Sequence, residues 1–335
     1  MFALLQKISQ NLVVAIPVMM VAGFVYGVSA DTGWLKFMIV PFTFLMVYPM
    51  MVTLKIRKVF EGGDVKAQTL TQLINFGLIP FLAFGVGLLF FKDNPYMALG
   101  LLLAGLVPTS GMTISWTGFA KGNMSAAIKM TVIGLILGSL ATPFYVQAFM
   151  GTTINISLLA VFRQIVFIVF LPMALGFLTQ WYLVARYGQG RFQKEIGPKF
   201  PSLSTLGVLG IVFVALALKA KTIASAPEVL LDILVPLVII YGVNFVLSTM
   251  VGKFFLSRGD AIALVYGSVM RNLSIALAIA INAFGAKGSE AALVIAMAYV
   301  IQVQSAAWYV RFTPKIFGDS ETGSVQGVAT APVKG

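Results

Sequence analysis

The sequence predicts an all-α polytopic membrane protein whose ten transmembrane helices form two inverted five-helix repeats. Three observations predict this fold class: an apolar composition, ten long apolar stretches, and matching interruptions in the two halves of the chain. Of the 335 residues, 59% are hydrophobic and only 10% are charged, and the mean hydropathy is +0.96. A chain of this composition requires lipid as part of its solvent.

The composition also excludes several kinds of chemistry. The chain contains no Cys and no His, so disulfides, thiolate metal sites, Cys nucleophiles and imidazole proton carriers are absent. The net charge is +12, but the Lys and Arg residues flank apolar stretches and do not form a basic domain. Membrane topology therefore explains this charge better than nucleic-acid binding does.

Ten stretches meet the requirement of about 20 predominantly apolar residues for a spanning helix. They cover residues 9–29, 34–54, 69–91, 96–120, 123–149, 155–184, 202–220, 229–251, 260–284 and 288–312. The first is expected to remain uncleaved, because its apolar part is long for a signal peptide and no clear cleavage site follows it.

The distribution of positive charge predicts the orientation of these spans. With the N-terminus inside, 15 of the 23 Lys and Arg residues lie in cytoplasmic segments and five lie on the opposite side. The remaining three, Lys129, Arg163 and Arg271, fall within spans. Because positive residues concentrate on the cytoplasmic side, we expect a multi-pass protein of the inner (cytoplasmic) membrane with both termini in the cytoplasm.

The spans divide into two halves of five. Residues 1–154 form the first predicted repeat, residues 155–318 the second, and residues 319–335 a disordered cytoplasmic tail. An odd number of spans in each half means that related halves insert in opposite orientations, as in many secondary transporters. The longest loop, about 185–201, is basic and contains three glycines. No extramembrane catalytic domain fits this plan, so we do not expect an enzyme.

The fourth span of each half is interrupted by small and polar residues. Residues 107–115 read VPTSGMTIS, and residues 267–274 read GSVMRNLS. Pro108 removes a backbone donor, and Gly111 and Gly267 permit breaks in a helix. Either motif alone is typical of close helix packing. Their matched positions indicate a binding site near the membrane midplane.

Arg271 is the strongest single indication of function. It lies about ten residues into an apolar stretch, residues 261–284, whose interior has no acidic residue. A permanent charge at that depth marks a polar cavity or pathway. With the helix N-termini, its guanidinium is expected to bind a carboxylate or sulfonate, while hydroxyls and an amide supply neutral hydrogen bonds. The predicted substrate-binding residues are Thr109, Ser110, Gly111, Thr113, Ser115, Arg271, Asn272 and Ser274.

Other polar residues within spans have simpler interpretations. Lys129 lies near the start of its span and either reaches the site or extends to the cytoplasmic interface, and Arg163 is expected to be an interfacial anchor. Trp116 is assigned to packing at an interface in preference to ligand contact. Asn244 and Gln302 are expected to bond between helices.

With these residues in view, the chain resembles the bile acid:sodium symporter superfamily over nearly all ten spans. Besides the two interruptions, the resemblance rests on YPMM at residues 48–51, FAKGN at 119–123 and RNLSIALA at 271–278. It implies two inverted repeats, a panel and a core domain, and broken fourth and ninth helices that cross at the site. Transport would then proceed by alternating access, through movement of the core against the panel.

Departures from the sodium-coupled pattern are informative. Such relatives have Glu at Gly267, Gln at Arg271, Asn at Ile114 and Ser at Ala127. A bound cation needs oxygen ligands and usually a carboxylate, so the sodium site is expected to be degenerate, with no other metal or cofactor. Thr113 and Asn272 remain compatible with polar roles. The expected coupling or charge-compensating positions are Lys129, Thr131, Asn75, Gly267 and Met270.

The leading functional hypothesis is a secondary transporter of a small organic anion, bile-acid-like or another carboxylate or sulfonate, without conventional two-sodium coupling. The runner-up is an arsenite or antimonite efflux permease. That branch carries a Cys in the first interruption, near Thr109 or Ser110, and a Glu in the ninth span, both missing here. A membrane enzyme is less favoured, because the only catalytic pair that the spans could supply is a Ser with Lys129. A receptor is less favoured because neither a signalling domain nor a tail partner is visible. The substrate, direction, coupling ion and oligomeric state stay open, and a monomer is compatible with the sequence.

Overall fold

A computed structural model describes residues 5, 8, 11–54, 63–154, 158–225, 227–285 and 287–318 of the protein. The predicted tail, residues 319–335, lies outside the described residues. The described part of the chain is built of helices joined by short turns, and its one isolated β-bridge joins Pro108 to Arg271.

Within the described residues, the first half contains six helices. They are α1 (Leu12–Ser29), α2 (Gly33–Val52), α3 (Val65–Phe90), α4 (Pro95–Leu106), α5 (Gly111–Phe119) and α6 (Met124–Met150). The first turns of α2, Gly33–Met38, are 3₁₀-helical.

The described part of the second half contains six longer helices. Helix α7 joins the segments Leu158–Ile165, Val166–Phe170 and Leu171–Tyr187. It is followed by α8 (Lys199–Ser225), α9 (Val229–Phe255), α10 (Arg258–Val269), α11 (Leu273–Phe284) and α12 (Gly288–Phe317).

Length and hydropathy confirm a helical membrane protein. Within the described residues, seven helices are long and apolar enough to cross a bilayer, and shorter apolar helices cover Val14–Ser29, Pro95–Leu106 and Leu273–Phe284. The predicted fourth and ninth spans are each two helices separated by a short extended segment. The interruptions therefore lie where the sequence places them.

The interior of α3 departs from a regular α-helix. Residues Leu73–Leu78 form a π-helical turn directly before Pro80. Proline has no N–H to donate to the carbonyl four residues earlier, which belongs to Phe76. The hydroxyl of Tyr145 in α6 donates to the Phe76 carbonyl at 2.6 Å. A side chain thus replaces the missing backbone bond, and the widened turn is stabilised by a neighbouring helix.

The predicted basic loop is partly helical. Gln189–Arg191 and Phe192–Ile196 form two short helical turns. Phe192 is buried, and the Arg191 Nε lies 3.0 Å from Glu195 Oε2 on the exposed side. The buried aromatic ring fixes a segment whose other side chains are mostly solvated.

Helices α1, α2, α7 and α8 form one packing group, which we call the panel. Helix α8 packs against α1 and α2, and α2 packs against α7. At Gly23 and Gly27 an added Cβ would lie 2.4 Å from the Phe213 carbonyl oxygen and 2.2 Å from that of Ala217. The GxxxG spacing therefore lets the backbones of α1 and α8 meet.

The remaining helices, α3 to α6 and α9 to α12, form a second group, which we call the core. Within it α9 packs against α10, α4 against α12, and α11 against α12. Panel and core meet through α8 with α12 and α2 with α11. Among the described residues, an ion pair crosses between them, with Lys219 Nζ of α8 lying 3.2 Å from Glu290 Oε1 of α12.

Candidate functional site

The two interruptions lie against each other. Helix α4 ends at Leu106 and α5 begins at Gly111, while α10 ends at Val269 and α11 begins at Leu273. Pro108 and Arg271 form an antiparallel bridge, and the Asn272 N–H donates to the Val107 carbonyl at 2.8 Å. The broken ends therefore satisfy part of each other's backbone hydrogen bonding, as buried non-helical backbone requires.

Local sequence explains the first interruption. Pro108 disfavours helical geometry in the residue before it, and Val107 is extended at φ −98° and ψ 90°. Thr109 adopts φ +62°, an uncommon conformation for a β-branched residue. Its hydroxyl lies 2.7 Å from the Pro108 carbonyl and 3.2 Å from the Thr131 carbonyl. Two side-chain contacts thus offset the strained backbone.

A capping box restarts the helix after this interruption. The Ser110 hydroxyl accepts from the Met112 N–H at 3.2 Å, and the Ser110 N–H donates to the Thr113 hydroxyl at 3.3 Å. These bonds satisfy donors that the first turn of α5 leaves free. Ser110 and Thr113 therefore fix the start of α5 at Gly111.

In the second interruption, the amide of Gln302 bonds to both backbone groups of Arg271. Gln302 of α12 accepts from the Arg271 N–H at 2.8 Å and donates to the Arg271 carbonyl at 3.1 Å. The Tyr241 hydroxyl donates to the same Gln302 oxygen at 2.9 Å. The Asn272 side chain caps α11 by accepting from the Ile275 N–H at 3.3 Å. Gln302 thus pairs with Arg271 as a neighbouring strand would.

Two further amides bond to the last turn of α10. Asn75 donates to the Gly267 carbonyl at 3.0 Å, and Asn244 donates to the Ser268 carbonyl at 2.9 Å. A Cβ at Gly267 would lie 2.7 Å from Met130 Sδ. The position at which the resemblance expects a sodium-binding Glu is therefore closely packed.

A cavity of about 390 Å³ adjoins both interruptions. It lies between α2 and α8 of the panel and α5, α11 and α12 of the core. Its lining is Met50, Thr53, Ser110, Gly111, Met112, Ser115, Trp116, Phe119, Pro201, Ser204, Thr205, Val208, Arg271, Leu273, Ser274, Tyr299, Gln302 and Val303. None of these described residues is acidic. The cavity extends to Thr53, Phe119 and Pro201, which lie near helix ends.

Arg271 is the one charged residue among the described residues that line this cavity. It is 3% exposed, and its Nη1 and Nη2 atoms are buried without a hydrogen-bond partner among the described residues. Besides the main cavity, Arg271 lines a small void of about 10 Å³ next to Tyr241 and Asn244. An unpaired buried charge is costly, because desolvation is not offset by a partner. The site therefore holds uncompensated positive charge.

A second cavity of about 130 Å³ adjoins the first interruption from the α6 side. Ser110 and Gly111 line both this cavity and the main one, whereas Thr131 and Asn272 line only this one among the two. Its remaining lining is largely apolar. The hydroxyls of Ser110 and Thr131 and the side-chain amide of Asn272 thus form a polar edge between the two cavities.

The predicted site residues fall into three sets. Ser110, Gly111, Ser115, Arg271 and Ser274 line the main cavity, and Thr131 and Asn272 line the smaller one. Buried positions that support the interruptions without lining either cavity are Thr109, Thr113, Asn75, Gly267 and Met270.

Lys129 lines neither cavity. It is 3% exposed, and its Nζ lies 3.3 Å from Asp64 Oδ2. Asn123 donates to Asp64 at 3.0 Å and to Asp260 at 2.7 Å. Lys129 therefore belongs to a polar cluster that joins the first turns of α3, α6 and α10.

Some cavity residues were missed at the level of sequence. Ser204 and Thr205 on α8 lie in the run PSLST at 201–205, whose polarity at the start of a span was the available signal. Thr53 and Tyr299 carry no comparable signal. Trp116, assigned to packing, lines the cavity while also contacting Phe119 edge-on at 5.6 Å between ring centroids. Gln302 bonds between helices as predicted and also lines the cavity.

Broken helices that meet beside a cavity lined by a buried Arg, in a chain of apolar helices, are typical of multi-pass membrane transporters. The model of the sodium bile acid symporter family matches residues 40–226, and the chain belongs to that family.

Similar proteins carry different functional names. The arsenical-resistance protein Acr3 of Alkaliphilus metalliredigens is 26% identical over 208 residues, 58% of each chain. The Acr3 protein of Corynebacterium glutamicum is 22% identical, over 74% of this chain and 70% of its own. An uncharacterized sodium-dependent transporter of Bacillus subtilis, YocS, is 25% identical, over 74% of this chain and 75% of its own. The match spans less than two thirds of the first of these relatives. Family membership therefore defines a transporter but not its substrate.

Proposed function

We propose that the protein is a secondary transporter of a small organic anion that works by alternating access. The observation that carries this proposal is the guanidinium of Arg271, whose two outer nitrogens have no hydrogen-bond partner among the described residues. It lies at a cavity whose described lining has no acidic residue. A carboxylate or sulfonate is the ligand that would neutralise it, through charge-assisted hydrogen bonds.

Two helix N-termini support the same ligand class. Gly111 and Met112 of α5 and Leu273 and Ser274 of α11 all line the cavity. The N-terminal end of a helix carries partial positive charge and free N–H groups, which favour anions. Much of the remaining wall is apolar, so the preferred substrate joins one anionic group to an apolar body.

Direct contact with the guanidinium requires a local movement. The outer nitrogens of Arg271 are buried in this conformation, so an anion in the cavity first experiences the charge through the cavity wall. Such an attraction is strong where the surroundings have a low dielectric constant. Rotation of the Arg271 side chain towards the main cavity would then complete the contact.

The same region argues against conventional two-sodium coupling. The packing of Gly267 against Met130 and Thr71 leaves no space for a carboxylate there without rearrangement, and Arg271 adds a repelling charge. Asn75 directs its amide to the Gly267 carbonyl. A hard cation would thus lack its acidic ligand and meet a fixed positive charge.

We infer an architecture of two inverted repeats, residues 1–154 and 155–318, in the inner membrane with both termini cytoplasmic. The panel and core groups, and the interruption in the fourth span of each half, support this arrangement. The main cavity reaches the ends carrying Thr53, Phe119 and Pro201, which the charge distribution predicts to be cytoplasmic. On that topology this conformation is open to the cytoplasm.

Uptake of a labelled anion into proteoliposomes tests the proposal. Arg271→Ala is expected to lower affinity by roughly ten- to hundredfold, because a hydrogen bond to a charged group contributes about 1.5–3 kcal/mol. Arg163→Ala is the matched control, since Arg163 is exposed and stacks near Phe167. Equal losses in the two variants would contradict the assignment of the site.

Arsenite or antimonite export is the second candidate, favoured by the names of the Acr3 relatives. Its chemistry fits the site less well, because soft arsenic prefers thiolate ligands and the chain has no Cys. Expression in an arsenite-sensitive host lacking its own exporter distinguishes the two. Restored resistance would favour export, and unchanged sensitivity the organic anion.

A further inference from the structure

We propose that the transporter is an obligatory exchanger, which changes its access only with an anion bound and so moves one anion inward for each one outward. This inference rests on the proposed function, because it concerns how the same site operates. It follows from a positive charge that is part of the protein and cannot dissociate.

The charge at the site is permanent. A guanidinium stays protonated in proteins, and that of Arg271 has no hydrogen-bond partner for its outer nitrogens among the described residues. Three of the described carboxylates form ion pairs elsewhere: Asp64 with Lys129, Glu195 with Arg191, and Glu290 with Lys219. A sodium-coupled carrier can release its cations before it returns empty. This carrier keeps its charge throughout the cycle.

Closing the cavity changes the surroundings of that charge. The open cavity separates α2 and α8 of the panel from α5, α11 and α12 of the core, and alternating access requires these surfaces to approach. Their approach expels water from a space of about 390 Å³. The outer nitrogens of Arg271 are already buried in the open form, so the cavity water screens the charge only through the cavity wall. Without an anion, closure would remove this screening water and leave the charge with no counter-ion. With an anion, the site is close to neutral, so the loaded carrier crosses faster than the empty one.

The ion pair between Lys219 and Glu290 is expected to slow the anion-bound carrier and the empty carrier to the same extent. It joins α8 to α12 at 3.2 Å and must separate if panel and core part at that end. Neither residue lines the main cavity. Removing the pair therefore changes the rates of loaded and empty carrier together, and leaves their ratio unchanged.

The test compares uptake into liposomes with different contents. Labelled taurocholate or labelled p-toluenesulfonate is added outside, and the lumen holds either the same unlabelled anion or Tris chloride alone. Both sulfonates stay charged and do not cross the bilayer as neutral acids. We expect initial uptake to be at least about tenfold faster with the anion inside. A potassium diffusion potential set with valinomycin should not change this rate, because one-for-one exchange of monovalent anions moves no net charge.

Two variants sharpen the result. Arg271→Gln removes the charge and should weaken anion binding. We expect the ratio of initial uptake with the anion inside the liposomes to uptake without it to fall towards one. The double variant Lys219→Ala with Glu290→Ala should keep the ratio of the unmodified protein. Equal uptake by loaded and empty liposomes, or uptake driven by the membrane potential, would overturn exchange while leaving anion transport intact. Uptake of neither sulfonate under any condition would instead contradict the proposed function itself.

Discussion

Gln302 shows how one side chain stabilises a broken helix. Arg271 lies between α10 and α11, so its backbone N–H and carbonyl lack the partners that a continuous helix provides. The Gln302 amide bonds to both groups and also accepts from Tyr241. Few other side chains carry a donor and an acceptor at the spacing this needs. The position of Arg271 in the cavity wall therefore depends on α12.

Gln302→Leu keeps a similar volume and removes these bonds. We expect the free energy of unfolding to fall by about 1–3 kcal/mol, because buried polar groups are left unpaired. Thermal unfolding of the purified protein measures the change. Gln304→Leu, two residues along α12 at a partly exposed position, is the control and should shift the midpoint little. Similar midpoints for the two variants would show that the hydrogen bonds of Gln302 contribute no stability.

Gly111 allows the cavity to be filled without disturbing the fold. A Cβ at this position would meet no atom within 4 Å, and Gly111 lines both cavities. Gly111→Leu should therefore abolish the thermal shift produced by taurocholate while leaving the midpoint of the ligand-free protein nearly unchanged. Gly242→Leu on α9 is the control, since Gly242 is exposed and equally free of neighbours. A retained ligand shift in Gly111→Leu would place the anion elsewhere.

Among the elements, the interruptions could be predicted because their causes are local. Pro108 has no backbone N–H to donate, and Gly111 has no side chain. The free energy cost of a charge in lipid keeps Arg271 away from the bilayer. These properties need no knowledge of neighbouring helices. The contact between the two interruptions was expected only from the resemblance to a family. In the structure, the backbone hydrogen bond from Asn272 to Val107 holds the two interruptions together.

Other features could not be predicted because they depend on contacts distant in the chain. The π-helical turn before Pro80 is stabilised by Tyr145, and the partner of Lys129 is Asp64, 65 residues away. The contribution of α8 to the cavity depends on how panel and core meet. Spacing along one helix contains none of this information.

The contact between α8 and α12 provides a test of movement at the element scale. The chain has no Cys, so cysteines placed at Lys219 and Glu290 would be the only thiols. A reducible bifunctional thiol reagent should stop transport by holding panel to core, and reduction should restore it. Binding of taurocholate should persist, because the cavity of this conformation stays open.

The control for this experiment lies within the panel. The hydroxyls of Tyr48 on α2 and Thr179 on α7 are 2.7 Å apart, and both helices belong to the same group. Cross-linking cysteines at these two positions should leave transport unchanged. Transport that continues when Lys219 and Glu290 are replaced and linked would contradict movement of the core against the panel.

At the scale of the whole molecule, the proposed function depends on both the fold and the positive charge of Arg271. Family membership establishes a transporter, and the panel and core enclose a cavity in which a fixed charge stands where sodium-coupled relatives are expected to hold an ion. In the mechanism that we propose, the guanidinium of Arg271 both selects an anion and opposes the return of the empty carrier. Sodium has no role in this scheme.

The central claim is that Arg271, and not sodium, supplies the positive charge that binds the anion. Equilibrium binding of labelled taurocholate tests it most directly. The purified protein and Arg271→Gln are each measured in sodium buffer and in sodium-free potassium buffer. We predict the same affinity in both buffers for the unmodified protein and an affinity at least about tenfold weaker for Arg271→Gln, in line with the loss of a charged hydrogen bond. Binding that requires sodium, or that is unchanged in Arg271→Gln, would contradict the account.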